Sequence, residues 1–249
     1  MSPTRHLSVV TGANKGVGFA IATQLLASGM DVLIGCRSVE LGEAAASRLG
    51  ASCRFAQLDI SDSSSIANFV EAVSGPVDVL VNNAAQTRPT LAVNFEETVA
   101  LMEALLPNLR AVGDGRVVNV ASMAGTLRQL SPALQQEFAS EALTVPKLQA
   151  LVARFEADVQ QGVHREREWS NSNYGLSKLA VIAYTNVLAR QEPDLHVNAC
   201  CPGYCATDMT SNQGTQPAEI GARTPVALAL IGKGGPTGEF WEHEKPSKW

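Results

Sequence analysis

Across 249 residues, 45% of them hydrophobic and 17% charged, the chain has material for one large α/β domain or two small ones. Its 19 Lys and Arg against 24 Asp and Glu give a formal net charge of -5, which excludes a general attraction to nucleic acid or an anionic membrane. Five cysteines, two of them adjacent and none in paired CxxC spacing, exclude a disulfide framework and a structural zinc site, and no run of about 18 apolar residues suggests a membrane span.

The first apolar run, Leu7 to Val10, leads into "TGANKGVG", Thr11 to Gly18. Val17, Ala20, Ile21, Leu25 and Ser28 then share one helical face, and Gly29 stands where a left-handed cap belongs. A strand that passes through a glycine turn into a helix leaves unpaired N–H groups at a positive dipole end, a corner suited to phosphate. The spacing Gly12, Gly16, Gly18 is wider than the G-x-G-x-x-G form, so downstream residues must decide its meaning.

A second strand, Asp31 to Cys36, ends at Arg37, where folds that prefer NAD place an acid for the ribose hydroxyl. Arg37 and Lys15 together predict NADP, whose 2′-phosphate they would bind through charge-assisted contacts. A helix is predicted from near Ser38 to Gly50, a strand over Arg54 to Asp59, and a helix capped by Asp62 with Ile66, Phe69, Val70 and Val73 on one face. Asp59 is placed either to accept from an adenine amino group or to cap a helix. The fourth strand, Val77 to Asn82, runs into "NNAA", whose amides imply specific hydrogen bonds.

The fifth strand, Arg116 to Ala121, delivers Ser122. Ser131 with Pro132 and Thr144 with Pro146 are helix-start signals, and Leu148, Leu151, Val152, Phe155 and Val159 form an apolar stripe that must be buried. In "SNSNYGLSKLA", Tyr174 and Lys178 lie four apart and project from one helix face, where an ammonium favours the tyrosinate and would lower its pKa toward neutrality. The sixth strand, Leu195 to Cys200, ends in "CCPG". Cys201 and Cys205 stand near this site, either as packed hydrophobes or as reactive thiols. Alternating short buried strands and helices predict a doubly wound parallel sheet, with ligands at the carboxyl ends of its strands.

The glycine turn, "NNA", the serine after the fifth strand, YxxxK and "CCPG" together resemble the short-chain dehydrogenase/reductase family over almost the whole chain. "TGANKG", "SPALQQEF", "GVH" and "NACCPG" followed by "TDM" are similar to its monomeric NADPH-dependent carbonyl reductases. The resemblance implies a Rossmann fold in one domain, 1–249, with a helical insertion over about 128–168. It implies that Ser122 polarises a carbonyl, Tyr174 donates the proton, Lys178 holds the nicotinamide ribose, and Asn94 seats a proton-relay water. Cofactor contacts are implied at Gly12, Asn14, Lys15, Gly16, Val17, Gly18, Arg37, Asp59, Ile60, Asn83, Ala84, Pro202, Gly203 and Thr207. No metal is implied.

Two departures stand out: Ala85 replaces the glycine of the usual NNAG, and the stretch from Asn83 to Asn94 is short for these reductases. The expected activity is reduction of ketones, aldehydes or quinones with NADPH. The alternatives are a reductase dedicated to one terpenoid or alkaloid ketone and a silent NADP-binding sensor. The insertion is expected to cover the helix face that relatives use for oligomerisation, giving a monomer. With strand signals in the first ten residues, no signal peptide is expected, and the location is expected to be cytoplasmic.

Overall fold

The computed structural model describes residues 6–84 and 91–249, with backbone only for 91–94. Six strands appear where the apolar runs predicted them: β1 (Leu7–Thr11), β2 (Asp31–Cys36), β3 (Cys53–Gln57), β4 (Val79–Asn82), β5 (Arg116–Val120) and β6 (His196–Cys201). Two short strands, β7 (Phe240–Glu242) and β8 (Lys245–Ser247), extend the sheet to the order β3-β2-β1-β4-β5-β6-β7-β8. All neighbours run parallel except β7 and β8, which form an antiparallel hairpin. The order reverses between β1 and β4, which places the switch point there.

Alternation along the strands feeds two separate cores. Val9, Leu33, Leu80, Val117 and Val197 face one side, while Val10, Val32, Ile34, Val81 and Val118 face the other. The second side is covered by α1 (Gly16–Ala27), α2 (Val39–Leu49), α8 (Ala218–Gly221) and α9 (Arg223–Ala229). The first is covered by α3 (Ser63–Val73), α4 (Leu91–Arg110) and α7 (Asn173–Gln191). Local chemistry sets several boundaries. The Ser38 side chain accepts from Leu41 N and begins α2, the Asp62 side chain accepts from Ser64 N and begins α3, and Gly29 follows α1 at φ +91°.

The insertion is helical as its sequence predicts: α5 (Pro132–Ala139) has Ser131 as its cap, and α6 (Val145–Gln160) follows. Leu148, Leu151, Val152 and Phe155 are buried, and α6 packs on α4 and α7. Asp158, itself buried, pins the descending loop by accepting from Trp169 Nε1 at 2.8 Å and from Arg167 Nη1 at 2.5 Å. The five cysteines are free and buried.

Candidate active site

The glycine turn is tight because three strands converge on it. Gly12 (φ +64°) donates from its N–H to Gly35 O at 2.7 Å. Just beyond β4, the Asn83 amide donates to Thr11 O at 2.9 Å and Gly12 O at 3.2 Å, while the Thr11 hydroxyl accepts from the backbone of Asn83 and Ala84. A Cβ on Gly18 would fall 2.4 Å from Gly12 O and 2.5 Å from Asn83 Nδ2, so nothing larger than glycine fits. Lys15 caps α1 without a side-chain acceptor, and no acidic residue occupies the first turn, which leaves the helix N-terminus open to an anion.

Above this turn lies a cavity of about 450 Å³. Gly12, Asn14, Lys15, Gly16, Val17, Gly18, Arg37, Ile60, Asn83, Ala84, Lys178, Pro202 and Thr207 all line it, as does Tyr174. Asp59 is not in the wall: its Oδ1 accepts from Ser61 N and Oγ, closing a turn, and the cap of α3 is Asp62. Gly203, at φ +78°, stands behind Pro202, and a Cβ there would lie 2.4 Å from Gln216 Nε2. Asn94 belongs to the first turn of α4, but its side chain lies outside the described residues, as does Ala85.

Lys15 does not stand free. Its ammonium pairs with Asp208 Oδ2 at 2.6 Å, joining the glycine turn to the loop after β6 across the mouth of the cavity. Sequence reading did not assign Asp208, although it directly follows Thr207. Met209 beside it is 49% exposed and also lines the cavity.

Tyr174 and Lys178 come from the first two turns of α7, which starts where the Ser172 hydroxyl accepts from Gly175 N at 2.9 Å. Lys178 is buried, with its Nζ donating to Val120 O at 2.9 Å. Burial pushes its pKa down to about 8. Ser122 stands two residues beyond the end of β5, its hydroxyl accepting from Ala124 N at 3.1 Å, at the entry to a 3-10 turn, Met123–Gly125.

The ammonium one helical turn away does not lower the Tyr174 pKa as the four-residue spacing predicts. The Tyr174 pKa is raised, chiefly because the crevice desolvates the phenol, although the Ser122 hydroxyl beside it acts to lower it. Tyr174 as a whole is 42% exposed, and Lys178 directs its ammonium to the Val120 carbonyl, with Nζ 5.9 Å from the tyrosine ring centre. Burial likewise pushes the Cys201 thiol up, which supports packing over reactivity.

The family model described as short chain dehydrogenase matches residues 7–133 and 161–218. The chain belongs to this family. The gap between the matched segments, 134–160, contains α6 and most of α5, so the family framework continues on either side of the inserted helices.

Within the short-chain dehydrogenases, the chain is 39% identical to carbonyl reductase (NADPH) 1 of Sus scrofa over 279 positions, covering 100% of this chain and 96% of the relative. The Homo sapiens protein of that name is also 39% identical, over 280 positions and all of both chains. Both alignments are longer than this chain, so the relatives carry residues it lacks. Among solved structures, salutaridine reductase from Papaver somniferum superimposes with TM-score 0.89 at 30% identity, covering 96% of this chain and 100% of that one. Menthone neomenthol reductase from Mentha piperita gives TM-score 0.82 at 30% identity, covering 95% and 98%.

Proposed function

We propose that this short-chain dehydrogenase reduces ketones, aldehydes or quinones with NADPH, using Ser122, Tyr174 and Lys178. The carrying observation is the continuous cavity with the glycine turn in its floor and Tyr174 and Lys178 in its wall. The chain is an NADPH-dependent oxidoreductase by its kinship with the carbonyl reductases. Its residues fit that cofactor: a cradle that a Cβ would fill, an open helix N-terminus, and Lys15 and Arg37 at the rim, where a 2′-phosphate calls for cations. When bound, NADPH supplies the hydride.

The chain itself supplies position and a proton. The Tyr174 phenol holds its proton at neutral pH, as any tyrosine does, and is the group that can give one to a developing alkoxide. Ser122 offers a hydroxyl to the same oxygen, and Lys178, charged below about pH 8, adds a positive field beneath them. Asn94, in the first turn of α4, is assigned the relay water. An intact donor set argues against a silent sensor, which has no use for an acid. A reductase dedicated to one metabolite ketone is the second reading, favoured by the likeness to salutaridine reductase and menthone neomenthol reductase. The packing of α6 on α4 and α7 supports a monomer, because it covers helices through which copies would otherwise pair.

NADPH consumption on a panel of menadione, simple ketones and aldehydes, and cyclic metabolite ketones tests the activity and separates the two readings. Tyr174→Phe should lower kcat about 10²- to 10⁴-fold while NADPH still binds. A Tyr174→Phe protein with near-normal kcat would overturn the assignment. Light scattering at micromolar concentration checks the assembly: a mass near 26.3 kDa is expected, and a stable dimer would refute the monomer.

A further inference from the structure

The turn after Ser122 and the start of α7 touch through their backbones at two levels. A Cβ on Gly125 would lie 2.7 Å from Lys178 C and Leu179 N, and one on Gly175 would lie 2.9 Å from Ala124 O and 2.5 Å from Gln129 Oε1. Two backbones this close, each carrying one member of the reacting pair, hold their relative position only if something fixes their sliding. Glycine contacts alone are non-directional and leave that freedom open.

Gln129 supplies the direction. It closes a second 3-10 turn, Leu127–Gln129, and the two hydrogens of its Nε2 are shared among three carbonyls, Ala124 O at 2.9 Å, Thr126 O at 3.0 Å and Gly175 O at 3.3 Å. Two acceptors belong to the segment that follows Ser122, and the third is the carbonyl of the residue next to Tyr174. The same Ala124 whose carbonyl Gln129 holds donates its own N–H to Ser122 Oγ. The chain of contacts therefore runs from Gly175 through Gln129 and Ala124 to the Ser122 hydroxyl. All three acceptors are carbonyl oxygens, so the site demands a donor, and a carboxylate there would face only other acceptors. Gln129 does not line the cavity, so any effect it has on chemistry passes through Ser122 and Tyr174.

We propose that Gln129 is a positioning residue for the reduction: its side-chain amide ties the Ser122 turn to the Tyr174 helix and sets the approach of the two hydroxyls. This rests on the assignment of Ser122 and Tyr174 as the reacting pair. It requires Gln129 variants to lose turnover without losing cofactor, because the glycine turn and the cationic rim lie on other elements.

The test compares Gln129→Met, Gln129→Glu and Tyr174→Phe in the full chain, well below each thermal midpoint. Gln129→Met keeps the volume and deletes the donor. Its kcat should fall about tenfold to a hundredfold, the range expected when reacting groups are displaced by about an ångström, with the NADPH Kd changed by less than about twofold. Gln129→Glu should be as poor or poorer at pH 8 and recover relative to wild type as pH falls, because protonation restores one donor; the Gln129→Met ratio should stay flat. A stability defect alone does not produce that pair of profiles. Wild-type kcat in both Gln129 variants beside an inactive Tyr174→Phe overturns the proposal, as does a loss of NADPH affinity in proportion to kcat. An active Tyr174→Phe overturns the catalytic assignment, and the proposal with it.

Discussion

Replacing Lys178 by methionine should make the ligand-free protein more stable while removing its activity. The ammonium is buried and rests on the Val120 carbonyl rather than on a carboxylate. Depression of its pKa from 10.5 to about 8 corresponds to about 3 kcal/mol charged against the folded state at neutral pH. Methionine removes that penalty at similar volume, and leaving the carbonyl without this donor costs about 1 kcal/mol. The net expectation at pH 7 is a gain of about 2 kcal/mol. The sign follows from the lowered folded pKa: below about 8 both states hold the proton and the penalty is full, and between about 8 and 10.5 the folded chain releases it first. Wild type should therefore gain on the variant as pH rises through that window. Urea unfolding of both proteins without cofactor, at pH 7 and pH 10, measures the difference directly. A variant less stable than wild type at pH 7, or a gap that does not narrow by pH 10, would refute the reasoning. A charge retained against stability marks a functional site.

Arg37→Asp should raise the NADPH Kd far more than the NADH Kd, since it removes an attraction at the cavity rim and adds a repulsion; equal effects in a fluorescence titration would remove Arg37 from the phosphate site. Asp208→Asn frees the Lys15 ammonium and should tighten NADPH several-fold with less effect on NADH, a gain that added salt should shrink. Gly18→Ala forces a methyl into Gly12 O and the Asn83 amide and should abolish measurable cofactor binding; an unchanged Kd would show that the cradle yields. Glu97 has Oε2 buried without a partner among the described residues, and burial with the nearby Asp59 pushes its pKa up to about 7. Its penalty is full above about 7 and relieved toward 4.5, so Glu97→Gln should raise the melting temperature more at pH 8 than at pH 5, as calorimetry would show.

What the sequence made legible was local. The Ser38 and Asp62 caps, Gly29 after α1 and the Pro132 start of α5 are set by neighbours a few residues away, so their boundaries could be read directly. The strands β7 and β8 have three residues each, too few for a period, and their place depends on pairing with distant β6. The site divides the same way. Tyr174 and Lys178 are one helical turn apart and could be placed together. The partner of Lys15 is 193 residues away, and the carbonyl beneath Lys178 is 58 away. The expected fall of the tyrosine pKa failed for that reason: the spacing gave the shared face, but not the direction of the ammonium or the desolvation of the phenol.

The Asn83 amide reaches back to Thr11 and Gly12, contacts that span 72 and 71 residues. The glycine turn is thus finished by a strand that is synthesised much later than the turn itself. An emerging chain that ends before β4 lacks the side chain that holds the cradle, whereas the Asp158, Arg167 and Trp169 cluster closes within 11 residues. Loop-closure entropy puts the short circuit first and the long one last. The cradle of this chain is complete only once β4 has paired with β1, and a cofactor that binds only the finished cradle favours the folded chain by mass action.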